Sequence, residues 1–342
     1  MLWWLLCYAL IVQALALQQR DLIINGTIAP QQRYPYAVFL QEKDFLFCGG
    51  SLIAEDVVLT AAHCIPDPDN VKDITIVVGE YNVTDDVFGD MVKIREIVLH
   101  PLYMLDSGND KDFDIALTFL ERPTTIANVS LVHLNRENSY PPGGTIATYL
   151  GWGMVNTKGE VSTVLREVDV SVMTNKECNQ ISGTIYNIDY SFSGRITPNM
   201  MCTFTPGKDS CQRDSGGPLI VRGEDASSDI QIGVSSWGVS CASDVFPGVV
   251  SRVSYSWNFI RENVCSNSSM PPDDFECQKI GEPSFQPTTV APTSKSPSLK
   301  PSSQTPSSVS QKLASNAQKQ PITNIVAVLA MGIACFFCCD NL

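Results

Sequence analysis

The chain has 342 residues, with 23 Lys and Arg against 36 Asp and Glu and a formal net charge of −13 at pH 7. This charge argues against nucleic acid and anionic membrane surfaces as partners, because both select basic patches. It is compatible with basic substrates. The length allows two domains, but the two ends of the chain differ in composition from the middle.

The N-terminal segment, residues 1–16, predicts a secretory signal peptide. Residues 2–17 are almost wholly apolar and end in Ala14-Leu15-Ala16, a small-residue cleavage pattern, although no basic residue precedes them. An uncleaved anchor is the alternative, but the run is short for a membrane span. We therefore expect a secreted protein.

Short β-rich runs between Ile23 and Arg252 alternate with clusters of Gly, Pro, Asn and Asp. This pattern predicts an all-β domain. Val253, Trp257 and Ile260 follow at helical spacing and predict a short C-terminal helix. Examples of the runs are residues 74–78, 167–172 and 230–234.

Three extended blocks contain a base, an acid and a nucleophile, in that order. They are residues 59–64 with His63, residues 112–117 with Asp114, and residues 209–218 with Ser215. A serine hydroxyl is a poor nucleophile, so it needs an imidazole to take its proton and a carboxylate to hold that imidazole in the right tautomer. The three residues predict acyl-transfer chemistry.

Each block resembles its counterpart in the trypsin-like serine proteases, which share the order His, Asp, Ser. Gly151-Trp152-Gly153 and Ser236-Trp237-Gly238 also lie where that family has them. The resemblance covers residues 23–263. It implies two antiparallel Greek-key β-barrels with the active site between them and a short C-terminal helix.

The implied activity is a serine endopeptidase that works through Ser215, His63 and Asp114. Asp209, six residues before Ser215, corresponds to the base of the specificity pocket and implies protein or peptide substrates with Arg or Lys at the cleaved bond. The resemblance adds further substrate-binding positions at Ser236, Trp237, Gly238 and Gly248.

The oxyanion hole departs from the family pattern. The resemblance assigns it the backbone N–H groups of Arg213 and Ser215, and the family normally has glycine at the first position. A side chain there restricts the backbone and projects toward the leaving-group side. We expect activity on small substrates and weakened binding of bulky protein protease inhibitors.

Activation also departs from the pattern. The run beginning at Ile23 resembles the family's mature N-terminus, whose freed ammonium pairs with the acid before the serine, here Asp214. Residues 17–22 would then be a short propeptide. The bond to be cut follows Leu22 rather than a basic residue, so either another protease cuts there, or cleavage after Arg20 precedes removal of residues 21–22.

Twelve cysteines in a secreted chain suggest disulfides. The resemblance supplies three pairs, and the two cysteines left between residues 264 and 282 are expected to pair with each other. The expected disulfide pairs are Cys48 with Cys64, Cys178 with Cys202, Cys211 with Cys241, and Cys265 with Cys277.

Four glycosylation acceptor motifs begin at Asn25, Asn82, Asn128 and Asn267.

No cofactor is required for the predicted reaction. Glu80, with Asp85, Asp86 and Asp90 after it, resembles the calcium-binding loop of some family members. An acidic surface loop without metal is the alternative, because the spacing does not align cleanly.

The C-terminal part predicts a Cys-paired extension over residues 264–282, a stalk over 283–320 and a hydrophobic tail over 321–342. More than half of the stalk residues are Ser, Thr or Pro, which cannot bury enough apolar surface to fold. The tail suits the removed signal of a lipid anchor, and a transmembrane helix is the alternative. Both place the protein at the cell surface.

A second functional class is a catalytically impaired homologue that acts as a binding or inhibitory protein. Both departures, at Leu22 and Arg213, concern activation or the oxyanion hole. The complete set of His63, Asp114 and Ser215 favours the enzyme.

Overall fold

The computed structural model of the chain describes residues 26–65, 67–68, 71–84, 89–103, 111–154 and 160–279. The chain separates into two units, residues 1–283 and 284–342, and every described residue belongs to the first. The predicted signal peptide, propeptide, stalk and tail lie outside the described residues.

The described residues form sixteen strands and two α-helices. The helices are α1 (Asn175–Cys178) and α2 (Trp257–Asn267). The strands are β1 (Thr27–Ile28), β2 (Ala37–Glu42), β3 (Phe45–Ala54), β4 (Val57–Thr60), β5 (Ile74–Val78), β6 (Asp90–Leu99), β7 (Ala116–Leu120), β8 (His133–Leu134), β9 (Ile146–Gly151), β10 (Arg166–Met173), β11 (Ser182–Ile185), β12 (Ile188–Ser191), β13 (Met200–Thr203), β14 (Pro218–Val221), β15 (Ile230–Trp237) and β16 (Gly248–Arg252).

Two closed antiparallel barrels confirm the predicted all-β fold. The first closes in the order β2-β3-β4-β7-β6-β5. The second runs β10-β13-β16-β15-β14-β9 and closes through pairing of β9 with β10. β10 alternates buried and half-buried residues, which is the period-2 pattern of a strand with one face in a core. β4 and β7 are buried throughout.

The predicted C-terminal helix is α2, which packs Ile260 and Val264 into the core and runs four residues beyond 263. After it, the chain turns back along the surface. Arg136 binds Asp274 at 2.6 Å, and the rings of Trp257 and Phe275 lie 5.0 Å apart. No helix among the described residues is both long enough and apolar enough to cross a bilayer.

All four expected disulfides are present in the structure.

Contacts between the two barrels determine the position of the cleft between them. Phe39 packs edge-on against Trp152 with ring centroids 5.2 Å apart, and the Gly49 N–H donates to the Ser215 carbonyl at 2.8 Å. The Ser51 hydroxyl donates to the Gln231 side chain at 2.6 Å. The second barrel's loop before β14 is therefore held directly against the first barrel.

Candidate active site

Strand pairing in the first barrel brings the predicted base and acid together. Strand β4 ends at Thr60, which lies opposite Ala116 at the start of β7. His63 follows β4 on a 3₁₀ turn at Ala62–Cys64, and Asp114 lies two residues before β7. Because the two strands are antiparallel neighbours, the end of one and the start of the other lie at the same barrel rim.

The Asp114 carboxylate holds His63 at two points. His63 Nδ1 lies 2.6 Å from Asp114 Oδ2, and the His63 backbone N–H donates to Oδ1 at 2.8 Å. The Ser236 hydroxyl donates to Oδ2 at 2.5 Å, and Asp114 is fully buried. With Nδ1 donating to the carboxylate, Nε2 is the nitrogen left to accept a proton.

Ser215 enters the same site from the second barrel, three residues before β14. Ser215 and His63 line one cavity of about 390 Å³. The neighbouring Gly216 has a φ of +82°, and a Cβ there would lie 2.2 Å from the Thr60 hydroxyl oxygen. Only glycine fits this close approach. Gly216 therefore lets the residues before β14, which include Ser215, pack against the end of β4, the strand that precedes His63.

A second cavity, of about 380 Å³, lies beside Ser215 and contains Asp209. Ser236, Trp237 and Gly238 line it, as the sequence predicts. Gly248 lies beside the acid, because a Cβ there would be 2.5 Å from Asp209 Oδ1.

Burial raises the pKa of Asp209 to about 7. The charge of Asp214 adds to this, while backbone N–H groups of Ser210 and Ala242 oppose it. The cavity therefore holds a carboxyl group that a cation would ionise.

Asp214 is buried against the Gly151–Gly153 segment. Its carboxylate accepts the backbone N–H groups of Gly153 at 2.8 Å and Cys211 at 2.9 Å, and burial raises its pKa to about 7. A Cβ on Gly151 would lie 2.1 Å from Asp214 Oδ1. The two glycines of the sequence motif thus make room for this acid. Ile23, its predicted partner, lies outside the described residues.

The family model Trypsin matches residues 23–260. The chain belongs to the trypsin family. Cationic trypsin-3 of Rattus norvegicus is 35% identical, covering 72% of this chain and 91% of the relative, and Trypsin-1 of Astacus astacus is 34% identical, covering 70% and 99%. Venom peptide isomerase heavy chain of Agelenopsis aperta is 32% identical, covering 71% and 100%.

Arg213 is this trypsin-family chain's departure beside the nucleophile. Its backbone has a φ of +76°, in the left-handed region that favours glycine. Its guanidinium carbon lies 4.4 Å from the centroid of the Phe45 ring. The residue thus adopts a backbone conformation typical of glycine and carries a cation stacked at the edge of the cleft.

Sequence reasoning missed two residues beside the cleft. Phe45 lies 168 positions before Arg213 and is 54% exposed, and no pattern in the sequence indicates their contact. Lys111 extends its ammonium group to within 3.5 Å of the Ser236 carbonyl. Ser236, predicted to bind substrate, also donates to Asp114.

Of the proposed calcium donors, the structure describes Glu80 and Asp90, and both have protein partners. Both Asp90 oxygens bind the Arg122 guanidinium, at 2.6 and 2.9 Å, and Glu80 accepts the backbone N–H groups of Tyr81 and Asn82. A calcium ion that used Asp90 as a ligand would have to displace the Arg122 guanidinium. Asp85 and Asp86 lie outside the described residues.

One group of potential metal-ligating atoms occurs among the described residues, at Cys48, His63 and Cys64. The two cysteine sulfur atoms are bonded to each other in a disulfide and are therefore not available as thiolate ligands.

Of the glycosylation acceptors, Asn128 is exposed, Asn82 and Asn267 are half-buried, and Asn25 lies outside the described residues.

Proposed function

We propose that the protein is a secreted, surface-anchored serine endopeptidase that hydrolyses peptide bonds after Arg or Lys. The observation that carries this proposal is the fixed contact of His63 with the buried Asp114 beside Ser215. Membership of the trypsin family supports it. No cofactor takes part in the reaction, and a calcium site at Glu80 stays a prediction.

In the proposed mechanism, Ser215 Oγ attacks the carbonyl carbon while His63 Nε2 takes its proton. Asp114 stabilises the resulting imidazolium and keeps the ring oriented. The backbone N–H groups of Arg213 and Ser215 stabilise the oxyanion. His63 then protonates the leaving amine as the C–N bond breaks. In the second half of the reaction, His63 takes a proton from water as the water attacks the acyl carbon, and returns that proton to Ser215 Oγ as the ester bond breaks.

The specificity for basic residues rests on Asp209. A buried carboxyl beside an open cavity binds a guanidinium or ammonium group more strongly than a neutral side chain. Gly238 and Gly248 support this, because a Cβ on Gly238 would have its nearest neighbour at Gly248, 4.0 Å away, which leaves room for a long side chain.

The proposal also covers activation at the N-terminus and attachment to the cell surface. Release of the Ile23 ammonium would let it pair with Asp214 and order the residues between Asp209 and Ser215. Secretion rests on residues 1–16, and surface attachment on the stalk and the tail at 321–342.

The alternative function is a binding or inhibitory protein without catalysis. The observation that favours it is that a residue with a side chain, Arg213, holds a φ of +76°. Relief of the resulting backbone strain would displace the N–H group and cost the oxyanion hole about 10²- to 10³-fold in rate.

A fluorophosphonate probe separates the two functions. The protein with Ile23 released should be labelled covalently at Ser215, with His63→Ala as the matched variant that keeps the serine but loses its base. Equal labelling of both proteins, or none in either, would favour the binding protein.

A further inference from the structure

The two cavities of the cleft meet at the nucleophile. The cavity with Asp209 and the cavity with His63 share the lining residues Gln212 and Ser215. A peptide whose basic side chain occupies the first cavity places its carbonyl carbon at Ser215. The residues that follow the cleaved bond then lie in or beside the second cavity.

Arg213 gives this second cavity an unpaired cation. No described carboxylate lies within 4.0 Å of its guanidinium nitrogens, and among the described residues its side chain contacts the Phe45 ring. The guanidinium carbon lies 4.4 Å from the centroid of the Phe45 ring, and no described residue accepts a hydrogen bond from the guanidinium N–H groups. These N–H groups form a donor fork that matches the geometry of a carboxylate.

Glu42 is the opposing charge. It lines the same cavity, and its carboxylate lies 3.9 Å from the Lys43 ammonium nitrogen. Because Glu42 is not paired with Arg213, the guanidinium N–H groups stay available. The Glu42 carboxylate nevertheless repels an acidic side chain that enters the cavity. It therefore reduces any attraction that the cavity has for acidic side chains, and its removal should increase that attraction.

We propose that Arg213 selects substrates that carry Asp or Glu within the first two residues after the cleaved bond. Phe45 is the positioning residue that holds the guanidinium at the cavity. This inference rests on the proposed endopeptidase function and names the substrate class of the same site. The preferred sequence combines a basic residue before the bond with an acidic residue after it.

Internally quenched peptides test the preference. Each contains one Arg and differs only in having Asp, Asn or Lys at the first or the second position after it. At one of these positions, kcat/KM for Asp should exceed that for Asn about three- to tenfold, with Lys below Asn. Because the pair is partly exposed, 0.5 M salt should reduce the Asp to Asn ratio.

Variants show which residues cause the preference. The ratio of kcat/KM for the Asp peptide to that for the Asn peptide is measured within each variant, so that a general loss of activity cancels. Arg213→Gln keeps the Cβ and removes the charge, so its ratio should fall to about 1. Phe45→Leu should lower the ratio and Phe45→Tyr should restore it. Glu42→Gln should raise it.

A wild-type ratio of about 1 at both positions, or an unchanged ratio in Arg213→Gln, would overturn the inference. Cleavage after Arg in the Asn peptides would show in either case that the endopeptidase proposal stands. If no peptide is cleaved, both proposals fail together.

Discussion

Asp209 is the residue on which the proposed specificity depends most. Its carboxyl group is buried, and burial raises its pKa to about 7. Below that pH the acid keeps its proton, and above it the carboxylate forms. Only the carboxylate pairs with a cation, so binding of a basic side chain should strengthen as the pH rises through 7.

The first prediction concerns this titration. The ratio of kcat/KM for an Arg ester to that for a Phe ester should rise about tenfold between pH 6 and pH 8. Any titration of the catalytic groups affects both substrates and cancels in the ratio. Asp209→Ser should give a flat ratio and lose a hundredfold or more, roughly, on the Arg ester. A flat ratio in the wild type would contradict the role of Asp209.

The second prediction concerns Arg213. Its side chain contacts Phe45 and lines the cavity of His63 and Ser215, where we propose that the leaving group lies. A rigid protein inhibitor must place its own backbone in the same cavity. Arg213→Gly should bind a protein inhibitor of trypsins at least about tenfold more tightly, which corresponds to about 1.4 kcal/mol. Both forms should hydrolyse small esters. Equal inhibitor dissociation constants in the two proteins would rule out a steric role.

At the scale of the element, the Gly151–Gly153 segment at the end of β9 packs against Asp214, the residue before the nucleophile Ser215. A Cβ on Gly153 would lie 2.5 Å from the Asp214 carboxyl carbon, and Asp214 lies between the two residues assigned to the oxyanion hole. A displaced Asp214 would therefore move Arg213 and Ser215.

The third prediction follows from this contact. Gly153→Ala should lower kcat about tenfold or more, because it disturbs donors worth about 10²- to 10³-fold. The control is Gly144→Ala, where φ is +87° but nothing lies within 4 Å of the new Cβ. That variant should lose about 1 kcal/mol of stability and no activity. Equal kcat in wild type and Gly153→Ala would contradict the account.

Contiguous residues predict the fold class and the candidate site well. The blocks around His63, Asp114 and Ser215 name residues that line or border one cavity, although their catalytic roles stay predictions, and the four expected disulfides are present. Contacts that join distant surface elements could not be predicted in this way. The stack of Phe45 on Arg213 depends on how the β2–β3 hairpin meets the serine loop, and no local pattern encodes that meeting.

The predicted calcium loop depends on distant partners in the same way. Acidic residues indicate possible oxygen ligands, but whether those oxygens are available depends on which cations or N–H groups bind them. Arg122 lies 32 positions after Asp90 and reaches it because β6 and β7 are adjacent antiparallel strands. The spacing of acids alone could not reveal this pair.

At the scale of the whole molecule, the two barrels are joined by a buried ionic contact as well as by apolar packing. Asp229, before β15, is fully buried and accepts Arg33 at 2.6 and 2.8 Å and the Tyr36 hydroxyl at 2.5 Å. Arg33 and Tyr36 precede β2 in the other barrel. The relative position of the barrels determines the shape of the cleft between them. We therefore assign the Asp229 contact a role in stability and not in catalysis.

The fourth prediction tests it. Asp229→Ala should lower the free energy of unfolding by about 3–5 kcal/mol, because it leaves the Arg33 charge without its partner in a largely buried site. Lys43→Ala, at an exposed pair with a 3.9 Å separation, should change it by less than about 1 kcal/mol. Urea-induced unfolding with the disulfides intact measures both. Similar values for the two variants would show that Asp229 does not join the barrels.

The most direct measurement is hydrolysis by the protein with its N-terminus released at Ile23. Arg, Lys and Phe ester or anilide substrates are compared between the wild type and Ser215→Ala. The account predicts turnover of the Arg and Lys substrates, little of the Phe substrate, and loss of all turnover in the variant. Wild-type turnover no greater than that of Ser215→Ala would contradict it and favour the binding protein.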